Sequence, residues 1–249
     1  MGQTRLAREA RYHPRRMPGI VEFLRMSSVF AALPTRELEP LAARAREQTY
    51  RAREFVFSEG EPAEWFYIVR EGRVKILRQS RAGKEVVLDV LGPGEPFGGV
   101  AAIEGRPYPA SAQAIEAATA LKIQREAIVA VTERYPTIIR EMARMMGRRL
   151  RAAHDSMTSL AADPVEARLA TTLLRQVERD GIRGPRGVSL PFHLTRQTLA
   201  DMTGTTVETT IRVVSRWLKD GVVRDDGDRL LLADTQALRA IAESGPQRP

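Results

Sequence analysis

The sequence predicts an α+β protein in three successive parts, and three observations support this. From about Val29 to Ile123, short runs of β-forming residues alternate with Gly, Pro and charged turn residues. An apolar stripe with three- and four-residue spacing follows, which predicts one long helix. The last part has two amphipathic helical segments joined at Gly204 and then a hairpin pattern.

Composition narrows the function classes. The chain has 249 residues, a net charge of +8 and no cysteine. The positive charge favours a polyanionic partner, either nucleic acid or an anionic membrane. Of the two we expect double-stranded DNA and no membrane, on the motifs described below. No apolar run reaches the roughly 18–20 residues of a spanning helix. Because there is no cysteine, a disulfide or a cysteine-held iron–sulfur cluster is excluded. Taken together, these features lead us to expect a cytoplasmic protein.

Residues 1–25 are predicted to form a basic, disordered leader, with an arm that contacts DNA as the alternative. The sensor domain is then expected over residues 26–130. Its β-rich runs indicate a sandwich, a roll or a barrel. These runs are Phe55–Phe57, Trp65–Val69, Val74–Leu77 and Val86–Leu91.

Residues 131–162 are predicted to form a dimerisation helix. The predicted helix spans about 30 residues, which is roughly 45 Å, and a solitary apolar stripe along a helix of that length needs a partner. A second copy of the chain is the simplest partner, so a homodimer is predicted. The alternative, packing on the chain's own β-domain, is open for the first half of the helix. The stripe consists of Ile139, Met142, Met146, Leu150, Ala153, Met157 and Leu160.

Residues 163–245 are predicted to form a winged helix-turn-helix domain, which includes a loop over Gly181–Gly187. Thr195 can cap a helix from Arg196 to Met202, and Gly204 suits the left-handed turn after it. Thr205 or Thr206 can cap a second helix that continues to Lys219. The hairpin around residues 225–228 would form the wing.

Glu208 and Arg212 are the candidate base-reading residues, one helical turn apart near the start of the second helix. Arg212 can donate two hydrogen bonds to guanine, and Glu208 can accept one from cytosine. An intrahelical salt bridge between them is the alternative, and both can hold together. Candidate phosphate contacts are Arg196, Lys219, Arg224 and Arg229.

Three motifs in the right order resemble the CRP/FNR family of bacterial transcription regulators. They lie in residues 59–76, residues 96–112 and residues 194–212, and the resemblance covers about Ser28 to Ala242. It implies a double-stranded β-roll of the cyclic-nucleotide-binding type, DNA as partner and RNA polymerase as a further partner. It assigns base reading to Val207, Glu208, Thr209 and Arg212, and backbone contacts to Thr195, Arg196, Gln197 and Thr206.

The same resemblance assigns an effector cassette: Phe97, Gly98, Gly99, Pro109, Ala110 and Ser111. Family members that bind cyclic nucleotides need a carboxylate where this chain has Gly99, and phosphate ligands where it has Pro109 and Ala110. An unpaired phosphate in an apolar pocket is costly, so cyclic AMP is not the expected effector. Haem is left as an alternative cofactor, with His13, His154 and His193 as the imidazoles, and so is a regulator without a ligand.

We therefore expect a homodimeric regulator that binds a palindrome with TTGA-like half-sites, as the FNR-like Val207–Glu208–Thr209 run implies. A cyclic-nucleotide-binding-like module that acts on a partner protein is the alternative. A cupin-type metalloenzyme is disfavoured because residues 29–123 contain no histidine. No catalytic constellation or metal site is predicted, so an enzyme is not expected.

Overall fold

The computed structural model describes residues 18–81, 83–226 and 229–244 of the chain. Its helices are α1 (Ile20–Met26), α2 (Thr35–Ala43), α3 (Gly99–Glu104), α4 (Arg125–Arg134), α5 (Pro136–Ala162), α6 (Val165–Asp180), α7 (Arg196–Thr203), α8 (Val207–Lys219) and α9 (Thr235–Glu243). Its strands are β1 (Ala45–Tyr50), β2 (Phe55–Phe57), β3 (Trp65–Glu71), β4 (Val74–Gln79), β5 (Glu85–Leu91), β6 (Pro96–Phe97), β7 (Ser111–Ala114), β8 (Ala118–Gln124), β9 (Ile182–Gly184), β10 (Gly187–Ser189), β11 (Val223–Asp226) and β12 (Arg229–Leu232).

The first eight strands form a β-roll of two four-stranded antiparallel sheets. Their strand orders are β1-β8-β3-β6 and β2-β7-β4-β5. Apolar side chains between the sheets form the core, including a stacked pair of Phe57 and Tyr108, whose ring centroids are 3.7 Å apart. The α+β fold with an N-terminal β-roll is confirmed.

The N-terminal helix α1 corrects the prediction for the end of the leader. Residues 20–25 were expected to be disordered, but α1 buries Phe23 and Leu24 in a cluster with α2, α4 and the outer face of the roll. The prediction is wrong for these residues because the arginines upstream masked a short apolar segment, Ile20–Leu24, that can pack on a sheet. The part of the leader in residues 1–17 lies outside the described residues.

The long helix α5 begins at Pro136 rather than at residue 131, since the separate helix α4 ends at Arg134. Pro136 suits the first turn of a helix because its missing N–H has no intrahelical acceptor there. In the first half of α5, Ile138, Met142 and Met145 are buried, and two of them, Ile138 and Met142, pack against the roll. The second half exposes apolar side chains, so the predicted stripe is divided between two surfaces.

The C-terminal part contains α6 to α9 and a sheet of order β11-β12-β10-β9. The segment Gly181–Gly187, predicted as a loop, instead contributes to the hairpin of β9 and β10, where Gly184 pairs with Gly187. Gly187 has φ +131°, which L side chains rarely adopt, and a Cβ there would collide with the carbonyl oxygen of Leu232. A short, polar hairpin of this kind lacks the β-branched alternation that predicts strands.

The β-roll and the C-terminal part pack against each other. Val87 and Val90 of β5 belong to the same apolar cluster as Leu173 of α6, Phe192 and Trp217 of α8. The helix α7 lies against β5. The sequence pattern did not predict this contact.

Candidate nucleic-acid interface and ligand cavity

Two capped helices form the helix-turn-helix. The Thr195 hydroxyl accepts a hydrogen bond of 2.9 Å from the Thr198 amide at the start of α7. Gly204 ends α7 in the left-handed conformation, with φ +63° and ψ 34°. Of the two candidate caps for the second helix, Thr206 is the one used, and it accepts from the Thr209 amide at 3.2 Å.

The helix α8 has one buried and one exposed face. Thr210, Val213, Val214 and Trp217 are buried, and the indole N–H of Trp217 donates to Glu166 of α6 at 2.9 Å. This anchoring fixes the rotation of α8 about its axis. The exposed residues include Glu208, Ile211, Arg212 and Arg216, of which Arg216 pairs with Glu166. Val207 and Thr209 are half-buried at the start of the helix.

Glu208 and Arg212 do not form the intrahelical salt bridge that the sequence allowed, since no ion pair among the described residues joins them. Hydrogen bonds from its own backbone amide and from the Thr206 hydroxyl hold the pKa of Glu208 below its usual value. The carboxylate is therefore ionised at neutral pH and can only accept hydrogen bonds. Both side chains are exposed, so a ligand can reach them.

Three of the predicted backbone-contacting residues, Thr195, Arg196 and Gln197, lie at the start of α7, beside β11. Arg196 approaches Asp225 of β11 with 3.6 Å between Nη2 and Oδ1, and Gln197 donates to Asp201 at 2.9 Å. A polar cavity of about 350 Å³ here is lined by Thr195, Arg196 and Arg229, together with His193 and Asp225. Arg224 on β11 and Lys219 at the end of α8 are exposed.

A second cavity, of about 140 Å³, lies between the β-roll and α5. Five of the six predicted cassette residues line it: Phe97, Gly98, Gly99, Pro109 and Ala110. Ser111 is not in the lining, and its hydroxyl accepts a hydrogen bond of 2.8 Å from the Glu59 amide. The sequence pattern did not predict the contribution of α5, which supplies Met142, Met145, Met146 and Arg149. The periodicity of the apolar stripe marks these positions as apolar but does not show that they face a cavity.

The cavity leaves no space for a carboxylate at position 99. A Cβ on Gly99 would lie 2.5 Å from Cδ2 of Phe66 and 3.1 Å from the terminal methyl of Met142. The Tyr108 hydroxyl is also occupied, since it donates to the Trp65 carbonyl at 2.7 Å and accepts from the Trp65 amide. Burial raises the pKa of Tyr108 to about 12, so this hydroxyl is neutral. Of the described residues that line the cavity, Arg149 alone is charged.

Neither of the described histidines that are candidate haem ligands lines this cavity. His154 is exposed on α5, His193 lines the other cavity, and His13 lies outside the described residues. Within residues 18–81, 83–226 and 229–244, no cluster of three or more His, Asp or Glu side chains could hold a metal ion. No helix in the same ranges is long and apolar enough to cross a membrane.

Charged side chains join the cavity to the C-terminal part. Arg149 donates to the Pro96 carbonyl at 3.0 Å and lies 3.3 Å from one carboxylate oxygen of Asp89. The other oxygen of Asp89 accepts from Arg179 of α6 at 3.3 Å. Nearby, the buried Arg73 lies 4.5 Å above the ring of Phe192 and 3.4 Å from Asp180. These long-range contacts have no local sequence signal.

Comparisons with known proteins agree with this architecture. The profile of the cyclic nucleotide-binding domain matches residues 47–135, and that of the Crp-like helix-turn-helix domain matches residues 167–241. The chain is 30% identical over 216 residues to the cyclic AMP receptor protein of Thermus thermophilus, covering 87% of this chain and 97% of the relative. It is 27% identical over 217 residues to a CRP-like cAMP-activated global transcriptional regulator of Mycobacterium tuberculosis, with the same two coverages. The structure of FixK2 from Bradyrhizobium japonicum superposes with a TM-score of 0.72 at 26% identity, over 80% of this chain and 98% of that chain.

A β-roll followed by a long helix and a helix-turn-helix with a wing defines a DNA-binding transcription regulator. With 30% identity across almost the whole of a relative, the chain belongs to the CRP/FNR family. This is a family of transcription regulators and not of enzymes.

Proposed function

We propose that the protein binds, as a homodimer, a palindromic DNA site with TTGA-like half-sites. The observation that carries the proposal is the exposed face of α8, where Glu208 and Arg212 have no ionic partner within the part of the chain that the structure describes. Arg212 would contact guanine O6 and N7, and the ionised Glu208 would accept from a cytosine N4 amine. Exposed Ile211 lies between them and offers an apolar contact to a thymine methyl group.

The positions around α8 support the same orientation. Thr206 and Thr209 lie at the N-terminus of α8, and Thr195, Arg196 and Gln197 lie at the N-terminus of α7. In helix-turn-helix proteins the start of the second helix enters the major groove, while the first helix contacts phosphates. Lys219, Arg224 and Arg229 would add phosphate contacts, which increase affinity without reading sequence.

The exposed second half of α5 supports the homodimer. Leu150 is 57% exposed, Met157 is 67% exposed and Leu160 is 49% exposed, and all three lie along one side of the helix. Pairing this side with the same side of a second copy would remove it from water. Two copies of α8 would then enter successive major grooves about 34 Å apart, which requires a palindromic site. RNA polymerase is the expected further partner of the bound dimer.

We further propose that cyclic AMP does not control this protein, although two relatives are named for that nucleotide. Gly99 has no space for the carboxylate that would hold a ribose hydroxyl, and the side chains of Pro109 and Ala110 offer no donor and no charge to a phosphate. A cavity of about 140 Å³ also matches a benzene-sized group, which is much smaller than a nucleotide. Calorimetric binding of cyclic AMP at low-micromolar concentration would contradict this part of the proposal.

The DNA-binding proposal is tested with Arg212→Ala on a labelled duplex that carries two TTGA half-sites as a palindrome. We expect the mutant to lose about 1–3 kcal/mol per half-site, because a bidentate contact to guanine is lost. The difference in binding free energy between this duplex and one with the G·C pairs replaced should fall by the same amount. Fluorescence anisotropy at fixed salt measures both quantities.

Arg36→Ala is the matched control, since Arg36 is an exposed arginine on α2, outside the helix-turn-helix. It removes the same charge, and we expect wild-type affinity and preference. Equal losses in the two variants would mean that only net charge matters and would refute base reading by Arg212.

A further inference from the structure

The cavity between the β-roll and α5 combines an apolar lining with one positively charged side chain among the described lining residues. Its side chains include Phe57, Phe66 and Phe97 from the roll, and Met142 and Met145 from α5. Pockets of this kind recognise a ligand by shape and fix its orientation with a few polar groups. Here the only charged side chain among the described lining residues is Arg149.

The volume limits the apolar body of the ligand. A dry apolar cavity of about 150 Å³ holds benzene, and this cavity has about 140 Å³. The three methionines of α5 that line it are flexible and polarizable, and thioethers make favourable contacts with aromatic ring edges. The space therefore fits one aromatic ring or a short branched acyl chain.

Arg149 supplies the polar end of the site. Its guanidinium has five N–H donors, one of which donates to the Pro96 carbonyl, and its Nε faces Asp89 at 3.3 Å. Arg149 lines the cavity, and its side chain is 28% exposed. A planar guanidinium matches a carboxylate in a bidentate pair.

We propose that this cavity binds a small apolar carboxylic acid, with its apolar body among the methionines and its carboxylate on Arg149. The ligand carboxylate competes with Asp89 for Arg149. Asp89 also pairs with Arg179 of α6, so the competition changes the charge contacts of the C-terminal part. The role of the acid as an effector rests on the proposed DNA-binding function, whereas its binding does not.

The test uses the full-length protein with ¹³C-methyl-labelled methionine and the matched probes benzoate and benzamide. Benzoate should give saturable shifts of the Met142, Met145 and Met146 methyl signals, since these groups line the cavity. The exposed Met26 on α1 should not shift. Benzamide has the same shape without the charge, and we expect it to bind at least about tenfold more weakly.

Four variants separate the contributions of charge and cavity volume. Arg149→Gln should reduce the preference for benzoate to about twofold or less, whereas Arg148→Gln, the exposed neighbour on α5, should keep the wild-type preference. Asp89→Asn removes the competitor and should tighten benzoate binding about threefold. Ala110→Leu fills the cavity and should abolish the binding of both probes.

Several results would overturn the proposal. One is that benzoate and benzamide bind with equal affinity, and another is that Arg149→Gln leaves the preference for benzoate unchanged. The proposal also fails if benzoate shifts no methionine methyl signal up to its solubility, or if low-micromolar cyclic AMP shifts these signals. None of these measurements involves DNA. A failure here therefore leaves the DNA-binding proposal standing, and a failure of DNA binding leaves this one standing.

Discussion

Gly99 packs against Phe66 and Met142, so the size of this residue limits what the cavity can hold. An added Cβ would be 2.5 Å from the Phe66 ring and 3.1 Å from the Met142 methyl group. Both neighbours are buried and packed, with exposed fractions of 1% and 5%, so neither can move freely. The position has no space for any side chain in the present packing.

Gly99→Ala and Gly147→Ala form a matched pair of substitutions with opposite expected effects. Gly99→Ala should lower the free energy of unfolding by about 1–3 kcal/mol, because overpacking a dense core is destabilising. A Cβ on Gly147, within α5, meets only the end of Arg151 at 3.5 Å, so this substitution should stabilise the helix by up to about 1 kcal/mol. Scanning calorimetry measures both. A stabilised Gly99→Ala would mean that the close packing around this residue is not real.

At the residue scale, the sequence predicted the positions that depend on local spacing. Thr195, Gly204 and Thr206 have the cap and turn roles that their residue types indicate. Arg149 and Asp89 were not predicted, because their importance comes from contacts between segments about 60 residues apart in the chain. Ser111 was assigned to the cavity by resemblance, but its hydroxyl contacts the Glu59 amide instead.

The helix α5 serves two surfaces, and this division is a property of the element rather than of any one residue. Its first half closes the cavity with Met142, Met145 and Met146. Its second half exposes Leu150 and Met157, which lie seven residues apart on the same side. Periodicity predicted the length and amphipathicity of this helix. It could not separate the part that packs on the roll from the part left for a partner, since both require apolar residues.

The exposed half of α5 predicts how dimerisation responds to a charge. Leu150→Glu should raise the dimer dissociation constant on the order of 100-fold or more, because the apolar contact is lost in both subunits and two carboxylates approach each other. Sedimentation velocity across a concentration series measures this.

Thr158→Glu is the control for that experiment. Thr158 is exposed one residue after Met157 and therefore faces about 100° away around the helix. It should leave the dimer intact. A Leu150→Glu protein that stays as dimeric as the Thr158→Glu protein would place the dimer interface elsewhere.

At the scale of the whole molecule, the β-roll and the DNA-binding part are joined by an apolar contact surrounded by ion pairs. Val87 and Val90 contact the core of the C-terminal part, and Asp89 between them pairs with Arg179. Arg73, only 4% exposed, pairs with Asp180 and lies over Phe192. The order of the three parts was predicted from the sequence. Their mutual packing was not, because apolar residues on β5 fit a roll core and a docking surface equally well.

Val87→Asp tests this contact. Val87 is 6% exposed, and an unpaired carboxylate there opposes docking of α7 and its neighbours on β5. Amide hydrogen exchange in α7 should become about tenfold faster or more, since a loss of about 1.4 kcal/mol changes an opening equilibrium tenfold. Leu88→Asp changes the next residue, which is 55% exposed, and should leave exchange in α7 unchanged. Equal exchange rates in both variants would contradict the docked arrangement.

The measurement that tests the central claim most directly is selection of bound duplexes from a random DNA library, with the wild-type protein and with Arg212→Ala in parallel. We expect the wild type to recover a palindrome with TTGA-like half-sites, and the mutant to lose specificity at one symmetric G·C pair. Recovery of sequence-independent binding that disappears with added salt would contradict the account. The basic charge would then be generic, and control of a partner protein would be the better explanation.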